Sequence, residues 1–164
     1  MYDLDRFRHA QNASDAGFAE ALRELEAGHK TSHWIWYVFP QLASLGRSST
    51  AVYYGLDGAE EAGEYLRDGL LGERLVAAAA VVREHLAGPG TRPARIERLM
   101  GSKIDALKLV SCMTLFAHVA KGLSAAESQP RFAAMAAHAE AILDAAAAQG
   151  YGACTFTRDV LRSR

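Results

Sequence analysis

Between Lys103 and Lys121 the chain carries apolar residues on every side of a helix. Ile104, Leu107, Leu109, Val110, Leu115, Phe116 and Val119 surround the axis at about 100° per residue. A helix that is hydrophobic all round has to be buried, so the rest of the chain must supply elements that wrap it. Strand patterns are scarce elsewhere, and alanine-rich helical windows dominate. The expected fold class is therefore all-α, a compact multihelical body of about seven to nine helices. At 164 residues the natural count is one domain over 1–164. A chain of that length buries roughly 70% of its unfolded surface and needs no metal or disulfide staple.

The local signals place most of the helices. Asp3 is a candidate cap for a short first helix, and Ser14 for a second through Phe18, Leu22 and Leu25, with Gly28 ending it. Residues 32–41 follow, with four aromatics in ten residues against 9% in the whole chain. They suit a short helix capped by Ser32 and stopped at Phe39 by Pro40. A loop through Gly46 and Arg47 leads to a turn opened by Ser48 or Ser49. Helices are predicted at 58–68, 71–87 and 93–100, from Ser102 to Lys121 with Gly122 after it, and at 130–149, and the last residues suit one more short helix. Gly88-Pro89-Gly90 is the strongest breaker, read as a loop or as a linker between subdomains.

Composition excludes several functions. A net charge of −1 argues against a general nucleic-acid binder, which needs net basic surface. Cys112 and Cys154 stand far apart without Cys-x-x-Cys spacing, which suits free thiols in a reducing cytoplasm. The N-terminal residues show no signal pattern, and no uninterrupted apolar run reaches the ~18 residues of a membrane span. A cytoplasmic protein is expected. The histidines show no metal-ligand spacing, no phosphate-cradling or dinucleotide glycine motif occurs, and neither metal nor cofactor is expected.

Few residues could carry chemistry. Lys108 lies on a helix that must be buried, and a buried ammonium needs a partner. It snorkels to water, pairs with a carboxylate, or lines a polar cleft. Asp105 is either half of a cap pair with Ser102 or an acid/base group. Ser111 and Thr114 are of the type that bonds carbonyls one turn back. In helical projection Trp34, Ile35, Val38 and Phe39 share a core face, while His33, Trp36 and Tyr37 share a second. That second face either packs against neighbouring helices or forms a pocket wall with stacking area and attached donors. His33 titrates near neutrality and is an acid/base candidate or a solvated histidine. Arg47 is a candidate anion clamp or a surface arginine.

The segments Ser32–Gln41, Leu45-Gly46-Arg47-Ser48 and Asp105-x-x-Lys108-Leu109-x-Ser111-x-Met113-Thr114-Leu115-Phe116, in that order, resemble a family of small, mainly bacterial, all-helical proteins of unknown function, sometimes labelled calpastatin-like. The likeness covers roughly residues 3–120 and implies an all-α fold without an assigned activity. The chain has none of the disordered, repeated sequence an inhibitor of that name would need. It departs from the family pattern at Cys112, where a serine is common, and in its alanine-rich tail after residue 130. A serine-dependent role at position 112 is excluded if that side chain faces a site. A looser architectural likeness is to helical proteins that process N-glycosidic or ADP-ribose-type ligands.

The functional expectation is a small-molecule site for an anionic, nucleotide- or N-glycoside-like ligand carrying phosphate or carboxylate, with hydrolysis as one activity it suits. His33, Asp105 and Lys108 are the candidate catalytic residues, and Ser32, Trp36, Tyr37, Arg47 and Ser111 the candidate ligand contacts. Trp36 would stack a planar group. The alternatives are a protein-interaction module built on an exposed aromatic helix, or motifs that only maintain a helical core.

Overall fold

The computed structural model describes residues 1–90 and 92–163. Within them the chain forms ten α-helices: α1 (Asp5–Gln11), α2 (Phe18–Glu26), α3 (Ile35–Val38), α4 (Ser49–Tyr53), α5 (Gly58–Arg67), α6 (Gly69–Ala87), α7 (Ile96–Met100), α8 (Lys103–Ala126), α9 (Pro130–Ala148) and α10 (Thr155–Arg162). The all-α expectation holds. Three of the ten, α3, α4 and α7, have only four or five residues, and such single turns leave little periodicity to read.

As its apolar circumference requires, α8 is the axis of the molecule. It packs against α9, α5, α7 and α10, and α9 in turn packs on α6. By length and composition α8 is the one helix among the described residues that could cross a membrane. More than half of its most apolar stretch is nevertheless buried inside the fold, as a core helix's would be. Ala78 and Ala79 of α6 and Ala139 and Ala146 of α9 are fully buried, so the alanine runs bring long helices close together. One hydrophobic core runs from Phe7 through Trp34, Tyr65, Leu109 and Phe116 to Ile142. Each fully buried Leu or Phe contributes about 2 kcal/mol.

Several caps differ from the sequence reading. The Ser48 hydroxyl accepts from the Ala51 amide and opens α4 as expected, and Ser102 accepts from the Asp105 amide to open α8. Leu4, Gly17 and Trp34 precede α1, α2 and α3 instead of Asp3, Ser14 and Ser32. Ser32 is drawn away by a carboxylate described below. α8 runs through Gly122 to Ala126, because a helix already packed on its neighbours tolerates one glycine. Phe39, before Pro40, leaves the helical region at φ −123° and ψ 72°, and α3 stops there.

Two backbone features build the ground for a site. The loop at 41–46, with its 3-10 turn Ala43–Leu45, pairs with Leu56: Ala43 N donates to Leu56 O and Leu56 N to Gln41 O, both at 2.9 Å. Arg6 braces this pairing from behind. Its guanidinium donates to Tyr53 O, Gly55 O and Glu61, each at 2.9 Å. At the other end, Gly101 ends α7 with φ +84°, and Lys30 N donates to Leu99 O at 2.8 Å. A Cβ on Gly101 would lie 2.7 Å from Lys30 O. Gly101→Ala therefore meets both a left-handed backbone and a backbone oxygen. It is expected to lower stability by more than about 1 kcal/mol, read as a drop in the urea midpoint at unchanged slope.

Candidate functional site

Two carboxylates hold the aromatic segment in place. Glu24 of α2 accepts from the amides of Thr31 (2.7 Å) and Ser32 (2.9 Å) and from Trp34 Nε1 (2.9 Å). Ser32 Oγ lies 2.5 Å from Glu24 and 2.6 Å from Glu20, one hydrogen serving either. Burial pushes the Glu24 carboxyl up, but the bonds from Ser32, Thr31 and Trp34 outweigh it and hold it down to about 2. Asp105, in the first turn of α8, pairs with Lys30 Nζ at 2.7 Å. Lys30 is buried; its ammonium also donates to Ser32 O at 2.5 Å and sits 4.9 Å from the Trp34 ring centroid. Asp105 thus keeps the cap geometry expected of it while its carboxylate works across the fold.

One helical turn after Asp105, the Lys108 ammonium lies 5.1 Å from the centre of the Trp36 ring. The two residues line a hollow of about 10 Å³ together with Phe39, Gln41, Tyr54 and Gly55, room for about one water molecule. On the other side of Lys108 an open groove of about 460 Å³ runs between α8 and the 41–48 loop. That volume is in the range of small-molecule sites. Arg47, Lys108 and Ser111 line it, with Gln41, Ile104 and Leu107. Ile104 and Leu107 are 65% and 49% exposed there. Lys108 and Arg47 have no carboxylate within ion-pair distance among the described residues. Trp36 Nε1 is buried and has no acceptor among the protein's own groups.

The structure therefore brings Trp36, Arg47, Lys108 and Ser111 around one hollow and its adjoining groove. The other four candidates lie outside it. Ser32 and Asp105 belong to the Glu24 and Lys30 clusters. His33 is exposed and lines none of these spaces. Tyr37 is a core residue whose hydroxyl donates to Ala16 O at 2.6 Å, and its burial, with Tyr54 nearby, pushes its phenol up to about 12. The shared face of His33, Trp36 and Tyr37 dissolves because α3 is a single turn, so the regular projection does not reach His33. Trp36 does not stack freely either, since the Lys108 ammonium occupies one face of its ring. Cys112 is fully buried and faces the core. Among the described residues no group of three or more His, Cys, Asp or Glu stands close enough to hold a metal ion.

Sequence reasoning missed Lys30, Glu24, Arg6 and Cys154. Ser111 Oγ donates back to Leu107 O at 3.1 Å and also approaches the Cys154 thiol at the start of α10. Burial pushes that thiol up, but hydrogen bonds from Thr157, Ser111 and Phe156 outweigh it and hold it below its ordinary range. The signal for this group was only a cysteine one residue before a helix-forming segment.

Comparison with known proteins agrees with the motif resemblance at the level of family. The family described as "Protein of unknown function (DUF1810)" matches residues 1–145, and the chain belongs to it. The chain is similar to the conserved hypothetical protein Rv1873 from Mycobacterium tuberculosis, whose crystal structure it matches with 34% identity and a TM-score of 0.74 over 98% of this chain and 97% of that one. No curated protein matches the chain.

Two predictions follow from the polar scaffold. With Glu24 held near 2 when folded, against an ordinary 4.5, its stabilisation is complete above pH 4.5 and is lost as pH falls from there toward 2. Glu24→Gln is expected to cost about 2 kcal/mol at neutral pH and to flatten the acid limb of a stability–pH profile in that window. Asp105→Ala leaves the buried Lys30 charge unpaired and is expected to cost about 3 kcal/mol. The double replacement Lys30→Met with Asp105→Leu removes both charges, and urea unfolding should show a much smaller loss.

Proposed function

We propose that this member of the DUF1810 family binds a small anionic molecule in the groove between α8 and the 41–48 loop. Lys108 and Arg47 hold its phosphate or carboxylate, and its apolar or planar body lies on Ile104 and Leu107. One observation carries the reading. Lys108 and Arg47 both line the groove, and neither has a carboxylate within ion-pair distance among the described residues. An anion set between them supplies the missing charge and accepts from both. A nucleotide, with its phosphate and planar base, fits a groove of this size and lining.

The reading is of binding rather than hydrolysis. Asp105 is engaged with Lys30, and His33 stands away from the groove, so neither acid/base candidate reaches a ligand held on Lys108. The calpastatin-like label has no part in it. A second reading rests on the exposure of Ile104 and Leu107, which with Arg47 and Lys108 would suit an acidic, apolar segment of a partner protein. The aromatic helix is not that partner's surface, because Trp34 and Phe39 are buried.

A thermal-shift series with pyrophosphate, adenosine monophosphate and ADP-ribose tests the proposal. A ligand at a hundredfold excess over Kd adds about 2.7 kcal/mol, which for a chain of this size raises Tm by roughly 5–10 °C. Lys108→Met is expected to abolish the shift by pyrophosphate and ADP-ribose without lowering the unliganded Tm, since it removes an unpaired charge from an apolar helix. Arg47→Ala should weaken binding about tenfold, the effect of one charge-assisted hydrogen bond. No shift with any of the three at millimolar concentration overturns the small-anion reading and leaves the interaction module.

A further inference from the structure

Further along α8, toward its C-terminal end, a second groove of about 370 Å³ lies among α8, α9 and α10. Its charge is out of keeping with the chain. The whole protein carries −1, yet the walls here present Lys121, Arg158 and Arg162 against a single carboxylate, Glu140. None of the three cations has an ion-pair partner among the described residues. Four basic residues elsewhere are ion-paired: Arg6 with Glu61, Arg8 with Asp68, Lys30 with Asp105, and Arg67 with Glu127.

The placement follows from helix geometry. Arg158 and Arg162 are four residues apart on α10 and share one face. Lys121 stands on α8, across the groove from that face, with His118 one turn before it. Three like charges on two packed helices repel one another, and an anion between them relieves the repulsion. Three cations less one carboxylate leave two positive charges, which match the −1.5 to −2 of a phosphomonoester near neutral pH. The arginines supply planar forks for its oxygens. Leu143 and Leu161 supply an apolar wall for the esterified group, and Glu140 an acceptor for a hydroxyl on it.

We propose that this groove is a second binding site, for a phosphomonoester, separate from the Lys108 groove. The site is built from the second half of α8, from α9 and from the last helix. Arg158 and Arg162 lie beyond residues 1–145, the part that the family match covers.

Titration of the full-length, isotopically labelled protein with phenyl phosphate, followed amide by amide in solution, tests this, with phenol as the uncharged control. Phenyl phosphate should move the amides of 117–122 and 155–162, in Lys108→Met as much as in the parent, and phenol should leave them in place. The double variant R158E/R162E should weaken binding at least tenfold. Lys121→Glu, on a different helix, should do the same, which keeps the test decisive if the α10 variant folds poorly. Co-sedimentation with vesicles carrying phosphatidic acid distinguishes a lipid-borne phosphomonoester from a free one; either supports the site if R158E/R162E removes it. Absence of shifts at millimolar phenyl phosphate overturns the proposal. So do shifts at these amides that survive both charge reversals, or that vanish with Lys108→Met.

Discussion

The buried ammonium of Lys30 is the junction through which the two motif-bearing parts of this protein meet. Its side chain is 5% exposed, and the Asp105 carboxylate that neutralises it is 17% exposed. Taking such charges out of water costs several kcal/mol each, and their attraction offsets this only with good geometry and further hydrogen bonds. Those are present: the Ser32 carbonyl accepts one proton and the Trp34 face lies under the charge. A pair this demanding tolerates little displacement. It therefore sets the first turn of α8 against the segment preceding α3, and with it everything one turn further along. Lys108 meets Trp36 because Asp105 meets Lys30.

The same logic explains the division of labour among the polar residues. Glu24 gathers two amides, a hydroxyl and an indole N–H onto one carboxylate, tying the loop at 31–34 to α2. Arg6 and Glu61 do the equivalent for the turn at 53–57, where Glu61 also accepts from the Asp57 amide at 2.8 Å. Both clusters lie in short or irregular segments, where the helix ladder cannot satisfy the backbone. Two walls of the Trp36 hollow, α3 and the Tyr54–Gly55 turn, are held by these charges. The groove is positioned by ionic and hydrogen-bonded fasteners around an apolar axis.

What the sequence revealed follows from the range over which its signals act. The burial of α8 was legible because apolar residues on all sides leave a helix only one environment. Pro40 acts on its immediate neighbour and Ser48 on an amide three residues on, and both did as expected. Lys30 was not legible: one lysine between a histidine and a threonine in a loop looks like any solvated charge, and its partner lies far away in sequence. Ser32 was misread for the same reason. A serine before an aromatic run looks like a cap, but the carboxylate claiming its hydroxyl is in the preceding helix. The candidate site was half legible. The residues that proved to share a space, Lys108, Ser111, Arg47 and Trp36, were chosen as polar groups on or beside apolar elements. His33 and Tyr37 were chosen by projecting a helix that turned out to be one turn long.

The pattern of satisfaction separates scaffold from surface function more clearly than residue type does. Glu24, Lys30, Glu61 and Asp105 are ionisable, buried or half-buried, and fully partnered, and each ties two parts of the chain together. Lys108, half-buried at the edge of the groove, has only the face of Trp36. A methionine at 108 would pack on the same indole without the cost of desolvating a charge. A core under selection for stability alone has no physical reason to keep an ammonium there. The unmet charge is thus informative beside the scaffold charges, which are met, and it lies where α8 opens onto the groove along the 41–48 loop.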